Sequence, residues 1–260
     1  MPDLLRSNSE LRADHIWNWT IPAWYVRLEG KVFKTCPNAG ACAQLCYARN
    51  GTYQFSNVKA AHLRNLNFIL DTPDLFVEQM NAELKKPRFK ANGKSRYEKL
   101  AQFGTLTTDD WAVNWMHRGG AAVRIHDSGD FFSQDYLSLW ASIAGANPEI
   151  LFYAYTKEVA MLKDATLPRN FLTIYSMGGL QDYLIDTEHD RHADVFPTIE
   201  ALLAAGYTDQ SGSDLLAVLL KTNKVGIVAN NISHFKKKQG AKTFAELSRN
   251  TRSVSYTHLR

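Results

Sequence analysis

The sequence is poor in cysteine, with three in 260 residues, and it has no long apolar run. Its longest apolar stretch, residues 215–220, is far shorter than the ~20 residues of a membrane-spanning helix. The first residues, Met1-Pro2-Asp3-Leu4-Leu5-Arg6, lack the pattern of a secretory signal. We therefore expect a cytoplasmic protein without a membrane partner, in which thiols stay reduced and disulfides are not needed.

The excess of positive over negative charge is also small. Thirty Lys and Arg against 26 Asp and Glu give a formal net charge of +4, which is weak evidence for a polyanionic partner. The hydrophobic content of 45% is sufficient for one large core, and α/β barrels of this length are commonly single domains. We predict one domain over residues 1–253.

The three cysteines, Cys36, Cys42 and Cys46, lie within eleven consecutive positions. Clustered thiolates are typical ligands of soft metals and iron–sulfur centres. Three ligands leave a coordination position open, whereas structural zinc sites use four. Two alternatives stay open: three buried apolar side chains, or zinc with His15, His62 or His126 as the fourth ligand.

Strand and helix patterns alternate along most of the chain. A strand at 23–28 leads into the cysteine loop, and further strands are predicted at 121–125, 150–155, 171–175 and 224–229. Helices are predicted at 58–70, from 71 or 72 to about 84, 134–144, 158–166 and 197–205. This alternation indicates an α/β fold with a parallel sheet, as a single-domain (β/α) barrel or partial barrel.

Polar turns follow several of these strands. His126-Asp127-Ser128-Gly129-Asp130 comes directly after the strand at 121–125, Thr156-Lys157 after the next, and Ser176-Met177-Gly178-Gly179 after a third. In parallel α/β folds the carboxyl ends of the strands carry the active site. These turns are therefore the candidate site, together with the cysteine loop.

A basic stretch from Lys85 to Lys99 lies in a predicted insertion at about residues 85–118. It combines seven cations with Phe89 and Tyr97, and such a mixture can hold phosphates and stack on unpaired bases. The basic residues are Lys85, Lys86, Arg88, Lys90, Lys94, Arg96 and Lys99. Nucleic acid is the predicted partner, and a solvated charged surface is the alternative.

Two further polar segments carry weaker signals. The loop Asp186-Thr187-Glu188-His189-Asp190-Arg191-His192 contains two histidines and three carboxylates, which allows a second metal or an acid–base group. A solvated loop is the commoner explanation. The tract Lys236–Lys238 is expected to be surface.

The last seven residues, Val254 to Arg260, are what the codons GTC-TCT-TAT-ACA-CAT-CTC-CGA encode. That string looks like a transposon-derived sequencing adapter read as coding sequence. We expect residues 254–260 not to be native and to lie outside the fold.

The combined motifs resemble the phage and mobile-element family named for gene product 88. The resemblance rests on Cys36-Pro-Asn-Ala-Gly-Ala-Cys42 through Cys46-Tyr47-Ala48, His126-Asp-Ser-Gly-Asp-Phe131, Phe152-Tyr-Ala-Tyr-Thr-Lys157 and Tyr175-Ser-Met-Gly-Gly179. That family in turn looks like a divergent relative of the radical S-adenosylmethionine (SAM) enzymes. The cysteine spacing differs from theirs, with five and three intervening residues where three and two are usual.

The resemblance implies a radical-SAM-type barrel whose cysteines, Cys36, Cys42 and Cys46, hold a [4Fe–4S] cluster with SAM on its open iron. An electron donor is then a required partner. The residues implied to bind the cofactor are Tyr47, Ser128, Gly129, Asp130, Ser176 and Gly178. The candidate catalytic residues, which lie in the polar turns after the strands, are His126, Asp127, Asp130 and Lys157.

Three functions are therefore weighed. The first is radical SAM-like chemistry on an unknown, nucleic-acid-related substrate, with the cofactor supplying the difficult step. The second is a nucleic-acid-binding module stabilised by a metal or cluster. The third is a hydrolase or transferase that uses a divalent metal with His126, Asp127 and Asp130.

Overall fold

A computed structural model describes residues 3–229 and 232–255 and shows an α/β fold. Seven parallel strands form the main sheet in the order β1-β4-β5-β6-β7-β9-β8, and β2 and β3 form a separate antiparallel hairpin. The strands are β1 (Ile16–Trp19), β2 (Tyr25–Leu28), β3 (Lys31–Lys34), β4 (Ala122–Ile125), β5 (Leu151–Thr156), β6 (Phe171–Ser176), β7 (His192–Phe196), β8 (Thr208–Asp209) and β9 (Lys224–Val228).

Helices connect and cover these strands. They are α1 (Ser9–Ala13), α2 (Cys42–Leu45), α3 (Ser56–Asp71), α4 (Pro73–Leu84), α5 (Tyr97–Ala101), α6 (Asp110–Arg118), α7 (Gln134–Ala146), α8 (Val159–Lys163), α9 (Ile199–Ala204), α10 (Leu216–Leu219), α11 (Ser233–Gln239) and α12 (Phe244–Ser255). Short 3-10 turns lie at Tyr47–Arg49, Gly51–Gln54, Pro87–Phe89 and Asp182–Leu184.

The sheet is open in the part of the chain that the structure describes. Its edge strands β1 and β8 pair only with β4 and β9, and β9 lies between β7 and β8. The predicted α/β class with a parallel sheet is confirmed, whereas closure into a barrel is not observed.

The predicted strand before the cysteine loop is only partly correct. Residues 25–28 do form a strand, but it pairs with β3 in the hairpin, and β1 at 16–19 is the strand that joins the main sheet. The hairpin turn is Glu29-Gly30, with φ of +48° and +79°. Positive φ at both central residues is typical of tight hairpins, so this turn was a readable signal.

Alternating residues of the strands face two hydrophobic layers. On one face, Val123 and Phe152 pack with Trp19, Phe76 and Trp140, which connects β1 to α4 and α7. On the other face, Ala122, Leu151 and Val225 pack against α6 and the apolar segment 215–220. Burial on both faces is expected of a parallel sheet, and it leaves the carboxyl ends of the strands free to form a site.

The basic stretch Lys85–Lys99 is largely engaged within the protein. Phe89 is only 3% exposed and packs on Trp17, and Tyr97 stacks on His117. Arg96 is buried and donates to the Gly120 carbonyl. The ion pairs of the stretch are Lys86–Asp3, Arg88–Asp3, Arg88–Glu83 and Lys99–Asp14. Nucleic-acid contact by this stretch stays a prediction. Phe89 and Tyr97, which were expected to stack on bases, pack on Trp17 and His117 instead.

Helices α11 and α12 lie at the C-terminal end of the described chain. Of the expected non-native tail, Val254 and Ser255 are the last residues of α12, and residues 256–260 lie outside the described ranges. Among the helices of residues 3–229 and 232–255, none has both the length and the apolar character that a bilayer crossing requires.

Candidate functional site: a cysteine-lined cavity at the carboxyl edge of the sheet

A cavity of about 980 Å³ lies where the carboxyl ends of the sheet strands meet the cysteine loop. Its wall includes the turns after β4, β5 and β6, and helices α11 and α12 contribute Phe235, Gln239 and Phe244. All three cysteines line it. The structure thus brings the separate sequence motifs to one place, as expected for parallel α/β folds.

The cysteine loop is seated on the turn that follows β6. Cys42 N donates to the Gly178 carbonyl at 3.2 Å, and Leu180 N donates to the Asn38 carbonyl at 2.9 Å. A Cβ on Gly40 would lie 2.7 Å from the Gly178 oxygen, so only glycine allows this close approach. The motif glycines therefore act through packing, and Gly178 supplies a carbonyl to the loop.

Asp130 and Lys157 connect the ends of three strands, and we call this connection the strand-end staple: Asp130, Thr156, Lys157 and Ser176. The Asp130 carboxylate accepts from Thr156 Oγ1 at 2.6 Å, Lys157 N at 2.9 Å and Phe131 N at 2.8 Å. Lys157 Nζ donates to Ser176 Oγ at 2.7 Å, the Ser176 carbonyl at 2.9 Å and the Met177 carbonyl at 2.9 Å. The staple links β4 to β5 and β5 to β6.

This geometry changes the roles implied for Asp130, Lys157 and Ser176. Asp130 is 5% exposed and already accepts three internal hydrogen bonds, and burial raises its pKa. All three N–H bonds of the Lys157 ammonium are used. The three residues line the cavity, and these hydrogen bonds give each of them a structural role in holding the strand ends together.

Glu158 is a contributor that sequence reasoning missed. Its carboxylate accepts from Asn38 N at 3.0 Å and from Asn38 Nδ2 at 2.6 Å, which fixes the cysteine loop to the end of β5. Burial raises the Glu158 pKa to about 7. Its position directly after Thr156-Lys157 was the available signal, but its partner lies 120 residues away in sequence.

The three thiols influence one another. A hydrogen bond from the Cys46 thiol lowers the pKa of Cys42, with a further contribution from the Lys157 charge, and the same bond raises the pKa of Cys46. Burial raises the pKa of Cys36, whose sulfur accepts from Trp24 N at 3.2 Å. Whichever of Cys42 and Cys46 loses its proton first is therefore stabilised as a thiolate by the thiol of the other.

The three thiols are suitable ligands for a thiolate-bound centre, although they are not arranged around one point. Within residues 3–229 and 232–255, no three or more His, Cys, Asp or Glu side chains converge on one point. The three thiols nevertheless share one cavity wall, and soft metals and iron–sulfur clusters select such ligands. If a [4Fe–4S] cluster binds, Cys36, Cys42 and Cys46 are the residues that would hold it.

The fourth zinc ligand considered from the sequence is not assembled. His15 lies before β1 with both ring nitrogens within hydrogen-bond distance of carbonyls, 3.3 Å from Gly119 O and 2.7 Å from Arg88 O. His62 lies on α3 beside Tyr53. His126 lines the cavity but pairs through Nε2 with Tyr136. A closed four-ligand site is therefore absent from the described part of the chain.

His126, Asp127 and Asp130 each have a polar partner of their own. The His126 ring is buried against Phe131 and Tyr136, and burial lowers its pKa to about 3. The Asp127 carboxylate accepts from Tyr53 OH. Asp130 belongs to the strand-end staple. Within the described residues the three side chains do not converge as a metal site, although His126 Nδ1 has no hydrogen-bond partner.

The remaining implied cofactor residues shape the turn after β4. Gly129 has φ of +91°, and a Cβ there would lie 2.2 Å from Ile21 Cγ1. Ser128 is 4% exposed, and its Oγ has no hydrogen-bond partner. Tyr47 OH donates to the Asp127 carbonyl at 2.5 Å, which connects the cysteine loop to this turn. Of these residues, Ser128 has a buried hydroxyl oxygen without a partner, while Gly129 and Tyr47 fix the shape of the turn.

The polar side chains of the loop Asp186–His192 pair locally with one another and with neighbouring lysines. His189 Nδ1 lies 2.8 Å from Asp186, while Asp190 pairs with Lys163 and Glu188 with Lys224. His192 is buried in β7, 2.8 Å from Tyr207 OH. The metal interpretation of this loop stays a prediction without support, because no three of these side chains converge and their polar groups serve local ion pairs and the start of a strand.

Asp194, in the missed strand β7, caps helix α12 and lines the cavity. Its Oδ1 accepts from Val195 N, Phe244 N and Ala245 N at 2.7, 3.1 and 3.3 Å. Burial raises its pKa from 3.8 to about 6 despite these hydrogen bonds. A carboxylate in the middle of a strand pattern disguised β7 in the sequence.

The raised Asp194 pKa predicts a pH-dependent stability. Protonated Asp194 stabilises the folded state, because the unfolded state loses this proton at a lower pH. This contribution to the unfolding free energy is fully present below pH ~3.8 and is lost as the pH rises through about 6. Asp194→Asn keeps the accepting oxygen and does not titrate. Between pH 4 and 7 we expect wild type to lose on the order of 2 kcal/mol relative to this variant in urea unfolding. If the unfolding free energies of wild type and Asp194→Asn changed with pH by the same amount, this assignment would be wrong.

The cavity is acidic although the protein is basic. Among its described lining residues, six are carboxylic acids and three are cations. The acids are Glu10, Asp14, Asp127, Asp130, Asp194 and Asp214, and the cations are Lys99, Arg124 and Lys157. Such a lining favours neutral or cationic ligands over anions.

Comparison with known proteins identifies the family. The sequence matches the family described as "Gene product 88" over residues 3–254. The Gene 88 protein of Mycobacterium phage L5 is 27% identical over 124 residues, which cover 47% of this chain and 43% of that relative. The match thus spans less than half the length of the phage L5 protein. No solved structure matches the chain. Because the family match covers nearly all of its residues, this chain belongs to the gene product 88 family.

Proposed function

We propose that this protein is an iron–sulfur enzyme of radical SAM-like type. The observation that carries the proposal is that Cys36, Cys42 and Cys46, far from β4, β5 and β6 in sequence, line a cavity at the carboxyl edge of a parallel sheet. Enzymes with parallel α/β folds place their chemistry at this edge. Three thiol ligands also leave one coordination position for a bound molecule.

The cavity suits a small organic cofactor together with a substrate. Its volume of about 980 Å³ lies at the upper end of the range for ligand pockets. The excess of carboxylates in its lining is compatible with the sulfonium cation of SAM. These two properties support the SAM assignment independently of the cysteines.

The residues around the thiols hold the loop and limit its motion. Glu158 fixes Asn38, Gly178 accepts from the Cys42 backbone, and the strand-end staple keeps the supporting strand ends together. When bound, a cluster with SAM would supply radical chemistry, driven by an external electron donor. Phe235 and Phe244 add apolar surface to the cavity and reduce access of water.

The two other functions have less support. A divalent-metal hydrolase needs His126, Asp127 and Asp130 to converge, and these side chains have separate partners. A nucleic-acid-binding module needs the Lys85–Lys99 stretch to be free, and most of that stretch is engaged in ion pairs and packing. Radical SAM-like chemistry is therefore the function that the site supports best.

Anaerobic reconstitution tests the proposal. Wild-type protein treated with iron and sulfide should show a broad brown absorbance, and Cys42→Ala should fail to retain it because a ligand is lost. Ser138→Ala, on the exposed face of α7, is the control and should load like wild type. Wild-type protein that holds stoichiometric zinc and no iron would show that the cluster assignment is wrong.

A SAM-cleavage assay on the loaded protein separates the two parts of the proposal. Reductive cleavage of SAM is expected in the loaded wild type and not in Cys42→Ala. If the loaded protein neither binds nor cleaves SAM, the cluster assignment stands and the SAM assignment is wrong.

A further inference from the structure

The segment that carries the cysteines contains no acidic residue. Residues 30–70 have no Asp or Glu, although 26 of the 260 residues of the chain are acidic. The cations of this segment are Lys31, Lys34, Arg49, Lys59 and Arg64. All five are exposed, and none of them forms an ion pair within residues 3–229 and 232–255. The outer surface of the segment is therefore positively charged, whereas the cavity that its cysteines line is acidic.

Helix α3 presents part of this charge beside exposed apolar side chains. Phe55, Lys59 and Leu63 are spaced four residues apart, so they lie along one side of the helix and its N-terminus. Phe55 is 59% exposed and Leu63 36%, and Arg64 is exposed as well. We call Phe55, Lys59, Leu63 and Arg64 the α3 patch. Exposed apolar side chains bordered by unpaired charges are typical of a surface that binds another protein.

Aromatic rings connect the α3 patch to the cysteine loop. Tyr47 directly follows Cys46 and lines the cavity. The ring centroid of Tyr47 lies 5.8 Å from that of Tyr53, which in turn lies 6.0 Å from that of His62 on α3. His62 adjoins Leu63 of the patch in sequence. Because electron transfer slows steeply with distance, a short route of this kind suits a donor that docks on the patch.

The α3 patch lies outside the cavity. Of the cavity-lining residues that the structure describes, none belongs to residues 49–70. A nucleic acid held by the patch cations would therefore not be placed in the cavity by that contact. An electron donor has no need to enter the cavity, because only its electron must reach the cysteine loop. The position of the patch thus favours a redox partner over a substrate.

We propose that the α3 patch docks an acidic redox protein, whose flavin or iron–sulfur group delivers an electron to a cluster held by the cysteines. One electron leaves the donor and enters the bound cluster, and no atom or proton is transferred. Attraction between the patch cations and donor carboxylates speeds the encounter. The small size of the patch suits a transient complex, since redox encounters bury little surface. This inference rests on the proposed function, because it identifies the donor which that function requires.

Calorimetric titration of the cluster-free protein with an acidic flavodoxin and with an acidic [2Fe–2S] ferredoxin tests the docking. At least one should bind saturably, and added salt should weaken binding because the paired charges are exposed. Lys59→Glu and Arg64→Glu should each weaken binding about fivefold, since each replaces an attraction by a repulsion. Lys221→Glu is the matched control and should change binding by no more than about twofold. Lys221 is also exposed, but it precedes β9 at the opposite edge of the sheet.

Reduction of the reconstituted protein connects docking to electron delivery. At subsaturating concentration, the protein donor should bleach the cluster absorbance about fivefold more slowly in Lys59→Glu than in wild type. Dithionite needs no docking site and should reduce both at the same rate. The assignment is overturned if neither donor binds, if Lys221→Glu acts like Lys59→Glu, if the protein donor reduces both proteins equally fast, or if a single-stranded oligonucleotide displaces the donor. A protein that binds the donor but loads no iron would instead overturn the proposed function and leave the docking surface standing.

Discussion

Gly40→Ala is expected to prevent cluster loading although all three cysteines remain. Gly40 has φ of +54°, and a Cβ would lie 2.7 Å from Gly178 O and 2.8 Å from Gly179 C. Both are backbone atoms that cannot rotate away, so the cysteine loop must move off the turn after β6. We expect a loss of about 3 kcal/mol or more in unfolding free energy, from combined strain and overlap. Iron content after anaerobic reconstitution and urea unfolding measure the two effects.

Gly51→Ala is a matched control for this prediction. Gly51 has φ of +56°, almost the same backbone conformation, but a Cβ there would meet nothing within 4 Å. The control should lose only about 1 kcal/mol and should load iron normally. Equal effects of the two substitutions would mean that backbone strain alone is responsible, and that contact with the Gly178-Gly179 turn does not position the loop.

Lys157→Met is expected to destabilise the protein by about 3 kcal/mol, because it removes the three hydrogen bonds that Lys157 Nζ donates within the strand-end staple. The Ser176 and Met177 carbonyls would lose a buried donor, and methionine cannot replace it. Urea unfolding gives the change in stability. The strand ends should also separate, so we expect faster hydrogen exchange of the β6 amides.

Lys163→Met tests whether this effect is specific. Lys163 is a lysine on α8 whose side chain is 37% exposed and pairs with Asp190. Surface pairs of this kind contribute about 1 kcal/mol or less, so this variant should be nearly as stable as wild type. If Lys157→Met behaved in the same way and lost only SAM binding, Lys157 would be a ligand residue and not part of a staple.

The sequence predicts the parallel sheet well because its central strands are apolar and bounded by turns. Strands β4, β5, β6 and β9 were all located, with bounds that differ by no more than one residue at either end. Strand β7 was missed for a specific reason. β7 contains Asp194, whose buried carboxylate caps a helix fifty residues later, and only the folded chain reveals that partner. Local patterns carry no information about such distant compensation.

The sequence predicted where the candidate site lies more accurately than it predicted what each of its residues does. Clustered cysteines and polar turns at strand ends were expected to meet, and they line one cavity. Their roles depend on which polar atoms remain unpaired after folding, and this requires coordinates. Asp130 and Lys157 looked available in sequence and are satisfied internally, whereas Gln210 and Arg124 drew no attention and keep free atoms.

The seating of the cysteine loop has a consequence for the order of events during synthesis. The loop emerges from the ribosome early, but its supports, Glu158 and the Gly178-Gly179 turn, are made more than a hundred residues later. Contacts of such long sequence separation form only after the intervening strands are available. The thiols therefore leave the ribosome without their framework and gain it when β6 joins the sheet. If these thiols bind a cluster as proposed, its capture is a late step, and the nascent chain must keep its cysteines reduced until then.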